Sequence, residues 1–473
     1  MSHFVSISSG RARRLFFSVP RWSMAQLNWS KPRFLSFFHR CHRSLPSSGC
    51  ITEPMTQGWT KRNIHSGAVE VKPCNLLAPA TAPEFVGSPH SKLHNVVWRD
   101  PLQNIYVVKK PWNDAVLGAM VSFIDFIHRE FPTLNVIVSS DVADELNAVL
   151  SNSPKRAGDK PHTIYTGTVE DIVAKTDLIV TLGGDGTTLR AVSAFSNSRV
   201  PPVLSFALGT LGFLLPFDFL HHREVFKSVY ESRSKALHRN RLECHVVRRS
   251  GNSGQSSLDK KPEQVRRYEL QHYKQHHNAT MVHAMNDVSL HRGSQPNLVS
   301  LDIYIDSEFL TTTTADGLVF ASPTGSTAYS LSSGGSIVNP LVPCILLTPV
   351  CPRSLSFRPL ILPSTSHIMV KLPVTNRNSS INLNIDGIPQ AELHPGDELH
   401  LVSENGTIFV PGKHQPPHTL AAKQSVIDGL EPGGVIMNPS RGIYCIAKTE
   451  NDWTKGINEL LGFNKSFSGK KKV

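Results

Sequence analysis

Cysteine is scarce: seven occur in 473 residues, odd in number and scattered from Cys41 to Cys445. They make neither a disulfide framework nor zinc-ligand spacing, so a reducing interior is expected. No uninterrupted apolar run reaches the ~18 residues of a spanning helix, and no membrane span is expected. No Gly-x-x-x-x-Gly-Lys-Ser/Thr occurs, which excludes a P-loop mechanism. A Gly-x-Gly-x-x-Gly dinucleotide fingerprint is missing as well. Acid is absent from residues 1–52, which hold eight Lys/Arg, and from 465–473, which hold four Lys.

Those two ends account for the whole formal charge of +12. The body between is neutral, so the count demands no basic nucleic-acid face and no nucleic-acid partner is expected. The opening stretch mixes Arg11, Arg13, Arg14, Arg21, Arg33, Arg40 and Arg43 with serines and with Phe16, Phe17, Trp22 and Leu35. An Arg- and Ser-rich, acid-free, amphipathic leader has the composition of a mitochondrial transit peptide, assigned here to residues 1–45. A disordered basic tail is the alternative.

Residues 46–94, rich in Pro, Ser, Gly and His, read as a linker. From 95 to 235, apolar strands (Asn104–Lys109, Leu134–Val138, Leu178–Leu182, Val203–Ala207) alternate with helical periods (Asp114–Glu130, and Asp141–Leu150 with Asp141 as cap). That pattern predicts an α/β domain with a Rossmann-like parallel sheet covered on both faces. From 236 to 442, short strands between Gly, Pro, Asn and Ser turns predict a β-rich, sandwich-like second domain. Polar excursions interrupt it near 250–280 and 411–439. Residues 443–463 regain strand and helix character and are expected to pack back on an earlier domain; 464–473 form a basic tail.

Two segments carry chemistry. Leu178–Arg190 is an apolar strand running into Gly-Gly-Asp-Gly-Thr. Gly183, Gly184 and Gly186, with Thr187, suit a tight strand-to-helix turn whose amides face a phosphate, helped by a helix starting near Thr187 or Thr188. Asp185 would repel that phosphate unless it accepts a proton or helps to hold Mg²⁺. Alternatively it is an Asx turn bonding its own backbone. Ala315–Ser336 crowds hydroxyls around four glycines and Tyr329, a set able to satisfy ribose, carboxamide or phosphate, or else a Ser/Gly surface loop.

Gly-Gly-Asp-Gly-Thr at 183–187, Leu-Gly-Thr-Leu-Gly-Phe-Leu at 208–214, Asn-Asp at 286–287, Asp-Gly at 316–317, Ser-Pro-Thr-Gly-Ser-Thr-Ala-Tyr-Ser at 322–330 and the stretch 347–360 stand in the order seen in NAD kinases. The chain resembles that family from about residue 95 to 463. With its basic leader, and Arg353 where His is more usual, it is most similar to the fungal mitochondrial branch that uses NADH. The resemblance implies ATP-dependent phosphorylation of the 2′-hydroxyl of the adenosine ribose of NADH and NAD, with Mg²⁺ carried on ATP. It further implies a homo-oligomer in the mitochondrial matrix, supplying NADPH there.

By the same resemblance Asp185 is the general base. Gly186, Leu211 and Phe213 line the dinucleotide pocket, Asn286 and Asp287 hold the nucleoside, and Asp316 lies near the nicotinamide. Thr324, Thr327, Ala328, Tyr329 and Ser332 contact adenine and ribose. Asp386-Gly387 matches a late loop, with Ile388 where Gln is common. Asp287 and Asp316 could instead cap turns, and Tyr329 could fill core. Arg353 and Arg358 are either surface charges or contacts to a nucleotide phosphate or to the nicotinamide end. The competing functions are a lipid or sugar kinase sharing the Gly-Gly-Asp-Gly turn, and a non-catalytic dinucleotide-binding regulator.

Overall fold

The computed structural model describes residues 69–151, 162–209, 212–248, 281–404 and 441–462. The leader, both polar excursions, the basic tail and Leu211 lie outside the described residues.

The α/β half is built on an 11-stranded sheet. Asn104–Lys109 and Leu178–Gly183 are buried along their whole length, as strands covered on both faces must be, and they pair in parallel with Ile105 opposite Leu178. Pairing stays parallel outward from them, through Asn135–Ile137 and His162–Thr166 to Val69–Pro73 on one side, and through Val203–Ala207 to Ile443–Ala447 on the other. Beyond Ile443–Ala447 the sheet turns antiparallel, adding Lys235–Arg239, Ser91–Val97 and Glu84–Ser88. Helix Asp114–Glu130 is capped by the Asn113 side chain, which accepts from Val116 N–H. It sets Met120, Phe123, Ile124 and Ile127 against Phe206 and Phe226 in one core.

Three expectations need correction. The segment read as linker, 46–94, contributes the strands Val69–Pro73 and Glu84–Ser88 and the start of Ser91–Val97. Its strands are short and only partly buried, so their apolar alternation is weak, and two of them, Val69–Pro73 and Ser91–Val97, pair with segments far away in sequence. The α/β domain does not stop at 235, because Lys235–Arg239 hydrogen-bonds into its sheet. Asp141 is not a helix cap: the helix runs Ser140–Ser151, which places Asp141 in its first turn.

The β-rich half consists of two 6-stranded sheets, each antiparallel throughout. Alternate residues of the two inner faces, among them Leu242, Leu301, Ile303, Val370 and Leu401 from one and Val288, Leu290, Phe320, Leu347 and Leu383 from the other, form one core. This is the expected sandwich.

A buried ion pair ties the halves together. Arg241, beyond the end of Lys235–Arg239, donates from Nε and Nη2 to Glu404 at 3.0 and 2.6 Å, and Glu404 also accepts from Gly442 N–H at 2.7 Å. Arg241 additionally reaches the carbonyls of Phe195 and Ser198, both at 3.4 Å. Removing one member of such a pair strands the other in low dielectric. Glu404→Ala is therefore expected to cost about 3–5 kcal/mol of stability in urea denaturation. A loss under about 1 kcal/mol would show that the pair contributes only marginally.

Candidate active site

Leu178–Gly183 delivers its last residue to the carboxyl edge of the sheet, beside the end of Asn104–Lys109. The neighbours of Asn104–Lys109 are Asn135–Ile137, which follows it in the chain, and Leu178–Gly183, which comes two strands later. That reversal of strand order opens a crevice, the usual ligand position in such sheets. Gly183 has φ of +154°, and a Cβ there would lie 2.5 Å from Thr187 Oγ1 and 3.0 Å from Lys110 Cβ. Only glycine fits. The helix begins at once, as Asp185–Ser193, two residues before the expected start at Thr187. Thr187 is buried, and its hydroxyl accepts from Gly184 N–H at 3.4 Å. The buried hydroxyls of Thr181, Thr188 and Ser205, 2.9 to 3.1 Å apart, fasten the helix to the sheet. Gly186 is exposed, with open space where a Cβ would point.

Asp185 is thus the first residue of a helix, with its carboxylate clamped from outside. Phe213 N–H donates to Oδ2 and Leu214 N–H to Oδ1, both at 3.0 Å. A Cβ on Gly212 would lie 2.2 Å from Oδ1, so the close approach requires glycine. Burial pushes the Asp185 carboxyl up, against the downward pull of the two amides and of the Arg239 charge. Two amide bonds leave lone pairs free on both oxygens, so the clamp aims the carboxylate without filling it.

The β-rich half supplies a second buried acid pair. Asp386, in a turn with φ of 50°, accepts from the amides of Met285, Asn286 and Asp287 at 2.8, 2.7 and 3.1 Å. It fixes the backbone that presents Asn286 and Asp287, both buried. Burial first, and then the neighbouring Asp386, push the Asp287 carboxyl up to about 7. Asn286 Oδ1 is buried with no hydrogen-bond partner among the described residues, an acceptor left open beside the crevice loop.

That loop, 322–336, is not simply a row of ligand-facing hydroxyls. Ser322 donates to Met285 O at 2.5 Å, Ser326 bonds Pro323 O and Val338 O at 2.7 and 3.1 Å, and Ser330 bonds Thr348 at 2.8 Å. These three build the loop. A Cβ on Gly325 would lie 2.1 Å from Asn286 O, so the loop rests directly on the Asn286 backbone. Thr324 accepts from Arg239 at 3.2 Å, and Thr327 donates to Thr324 O at 3.2 Å. Ala328 is half-buried, whereas Tyr329 and Ser332 are exposed, with Ser332 Oγ bonded to Tyr329 O at 3.0 Å. The phenol of Tyr329 is pushed up by partial burial and then by the charges of Asp287, Cys351 and Asp316. Those four groups therefore share one neighbourhood.

Asp316 is paired with Arg292, whose Nε lies 2.6 Å from Oδ1. Arg353 is held through its backbone, N–H to Thr314 O at 2.8 Å. The side chains of Arg353 and Arg358 are exposed and have no ion pair among the described residues. Sequence reasoning missed Gly212, Arg239 and Arg292. The glycine had a signal, lying inside Leu-Gly-Thr-Leu-Gly-Phe-Leu; the two arginines had none, being single charges beside strands.

A parallel sheet ending in a glycine turn with a clamped carboxylate, joined to a sandwich that presents a hydroxyl-rich loop, defines a two-domain nucleotide-binding protein of a type that works without a P-loop. Residues 105–234 match the model of the ATP-NAD kinase N-terminal domain, and residues 285–410 that of the ATP-NAD kinase C-terminal domain. The chain is 50% identical to the mitochondrial NADH kinase of Saccharomyces cerevisiae over 85% of its own length and 91% of that protein. It is 36% identical to the mitochondrial NADH kinase of Schizosaccharomyces pombe over 68% of its length and 73% of the relative. A crystal structure of yeast NADH kinase complexed with NADH superposes with a TM-score of 0.66 at 48% identity, covering 85% of this chain and all of that one. The chain belongs to the NAD kinase family.

The raised carboxyl of Asp287 links the site to stability. Its neutral form is the favoured one in the folded state, so its contribution is fully present below the unfolded value of about 3.9 and is lost as pH rises through about 7. Asp287→Asn removes that loss. The variant should be more stable than the natural protein at pH 8, by about 4 kcal/mol and with a higher thermal midpoint, and should differ little from it at pH 4. An equal offset at both pH values would remove Asp287 titration as the cause.

Proposed function

We infer that this chain is an ATP-dependent kinase that phosphorylates the 2′-hydroxyl of the adenosine ribose of NADH, and of NAD, giving NADPH and NADP in mitochondria. The reading rests on family membership and above all on the Asp185 carboxylate, aimed by two amides at the carboxyl edge of a parallel sheet and preceded by glycine amides. A ribose hydroxyl is a poor nucleophile at neutral pH, and its transfer chemistry needs in-line positioning, charge neutralisation and proton removal. Asp185 accepts the proton on a free lone pair. The donor phosphates are received at this helix N-terminus by the amide of Gly186, while Gly183, Gly184 and Thr187 shape the turn, with Gly184 N–H on Thr187 Oγ1 and Thr187 N–H on Gly184 O at 2.9 Å.

Asn286 and Asp287 hold the nucleoside, and the orphaned Asn286 Oδ1 fits a purine amino group. Phe213 bounds the pocket, and Thr324, Thr327, Ala328, Tyr329 and Ser332 line its adenine and ribose side. Asp316 serves the nicotinamide end. Among the described residues no cluster of three or more His, Cys, Asp or Glu could hold a metal. Family resemblance implies that Mg²⁺ arrives on the ATP phosphates, where it would supply charge neutralisation. A lipid or sugar kinase reading leaves the 322–336 loop without a purpose, and a regulator would be better served by a neutral residue at 185. An assay with ATP and NADH, NAD, sphingosine or fructose 6-phosphate separates the three.

Asp185→Asn preserves one acceptor for the amide clamp but has no basic oxygen, so the folded variant should lose about 10²- to 10⁴-fold in turnover. Near-normal turnover would remove Asp185 from the mechanism. The second expectation concerns the oxidised ring of NAD, which carries a positive charge that NADH lacks. Arg353, tied to the strand leading into Asp316, would disfavour NAD by roughly 1 kcal/mol or more at an effective dielectric near 20. Arg353→His is expected to shift the kcat/KM ratio toward NAD with the ATP KM unchanged. A raised ATP KM with an unmoved ratio assigns Arg353 to the donor phosphates instead.

A further inference from the structure

Among the described residues, Arg239 is the one strongly buried cation beside Asp185 that the reading above leaves without a task. It ends the strand Lys235–Arg239, is only 6% exposed, and pairs with no carboxylate among the described residues. Its Nη2 donates to Phe213 O at 3.4 Å and its Nη1 to Thr324 Oγ1 at 3.2 Å, while Nε has no partner among the described residues. The thiol of Cys445 is a further neighbour. A guanidinium removed from water with one donor unmet is costly, and an apolar residue would pack the position better if packing were all that it did. Its contacts are selective. One goes to the residue whose amide clamps Asp185, the other to the loop that lies on Asn286.

We propose that Arg239 is a positioning residue for phosphoryl transfer: by bridging Phe213 O and Thr324 Oγ1 it fixes the distance between the Asp185 clamp and the 322–336 loop, and it sets a fixed positive charge in the same buried region. The first effect acts through geometry. Phe213 is gripped on both sides of its peptide, its N–H by Asp185 and its carbonyl by Arg239, so the three move as a unit. Thr324 is then placed relative to that unit across the join between the two halves of the molecule. The second effect is electrostatic: Asp185 works only when ionised, and a cation in the same buried region favours the ionised form. Charge and fork geometry are separable, because lysine keeps the first and loses the second.

The proposal rests on Asp185 being the base, so the test begins with the full chain, ATP and NADH. Absence of activity in that protein overturns the functional reading itself and is distinct from any result on Arg239. With activity in hand, kcat and its pH profile are compared for Arg239→Gln and Arg239→Lys. Removing the cation makes Asp185 easier to protonate, so the acid limb of kcat should move to higher pH in Arg239→Gln and stay in place in Arg239→Lys. Both variants should lose turnover through misplacement, about 10- to 100-fold. An unmoved limb in Arg239→Gln, or the same limb shift in both variants, overturns the proposal. If Arg239→Gln gives no cooperative thermal transition, Arg239→Lys decides alone. Unchanged turnover, or a displaced limb, then overturns it; reduced turnover with the limb in place supports it.

Discussion

The amide clamp on Asp185 is the constraint around which the rest is arranged. A carboxylate at the first position of a helix is favoured by the dipole, yet a free one would rotate among several rotamers. Phe213 and Leu214 remove that freedom from a different part of the chain, and they can do so only because residue 212 has no side chain. The same requirement reaches back to Gly183, where a side chain would strike Thr187 and Lys110. Three separate glycine-dependent approaches, at 183, 212 and 325, thus serve one purpose. They let backbone come into direct contact where side chains would hold it apart.

Buried charge forms the second layer of the design. Asp386 is satisfied by three amides, Glu404 by Arg241 and Gly442, and Asp185 by two amides and the field of Arg239. Each stitches backbone from one half of the molecule, or from one sheet, to a distant segment. Asp287 is the exception: its carboxyl has no hydrogen-bond or ion-pair partner among the described residues, and burial and the Asp386 charge push it up. In the functional reading it is the acid kept ready for a ligand hydroxyl, and the stability it forgoes at high pH is the thermodynamic trace of that role.

Strongly periodic elements were legible. The helix Asp114–Glu130 and the strands Asn104–Lys109, Val203–Ala207 and Gly317–Ala321 lie where the apolar pattern puts them, because burial on one stripe or on both faces leaves a direct mark on residue choice. Short edge strands such as Val69–Pro73 and Glu84–Ser88 were not, since an edge strand is half-exposed and its composition resembles a loop. Glu308–Ala315, with four consecutive threonines, escaped for a related reason: its partner Val299–Ile305 defines it more than its own sequence does.

For the site, the sequence by itself determined the glycine turn, the carboxylate within it and the hydroxyl-rich loop, because their residue types stand close together at local spacing; the Asn-Asp pair was reached only through the resemblance to NAD kinases. Tertiary structure alone decided which hydroxyls hold the loop together and which stay exposed, that Asp386 carries the Asn286–Asp287 backbone, and that Arg239 sits between Phe213 and Thr324. Such roles depend on contacts between residues tens to hundreds of positions apart. An arginine closing an ordinary strand carries no pattern that marks it for this place, and its meaning exists only once Phe213 and Thr324 have been brought to its guanidinium.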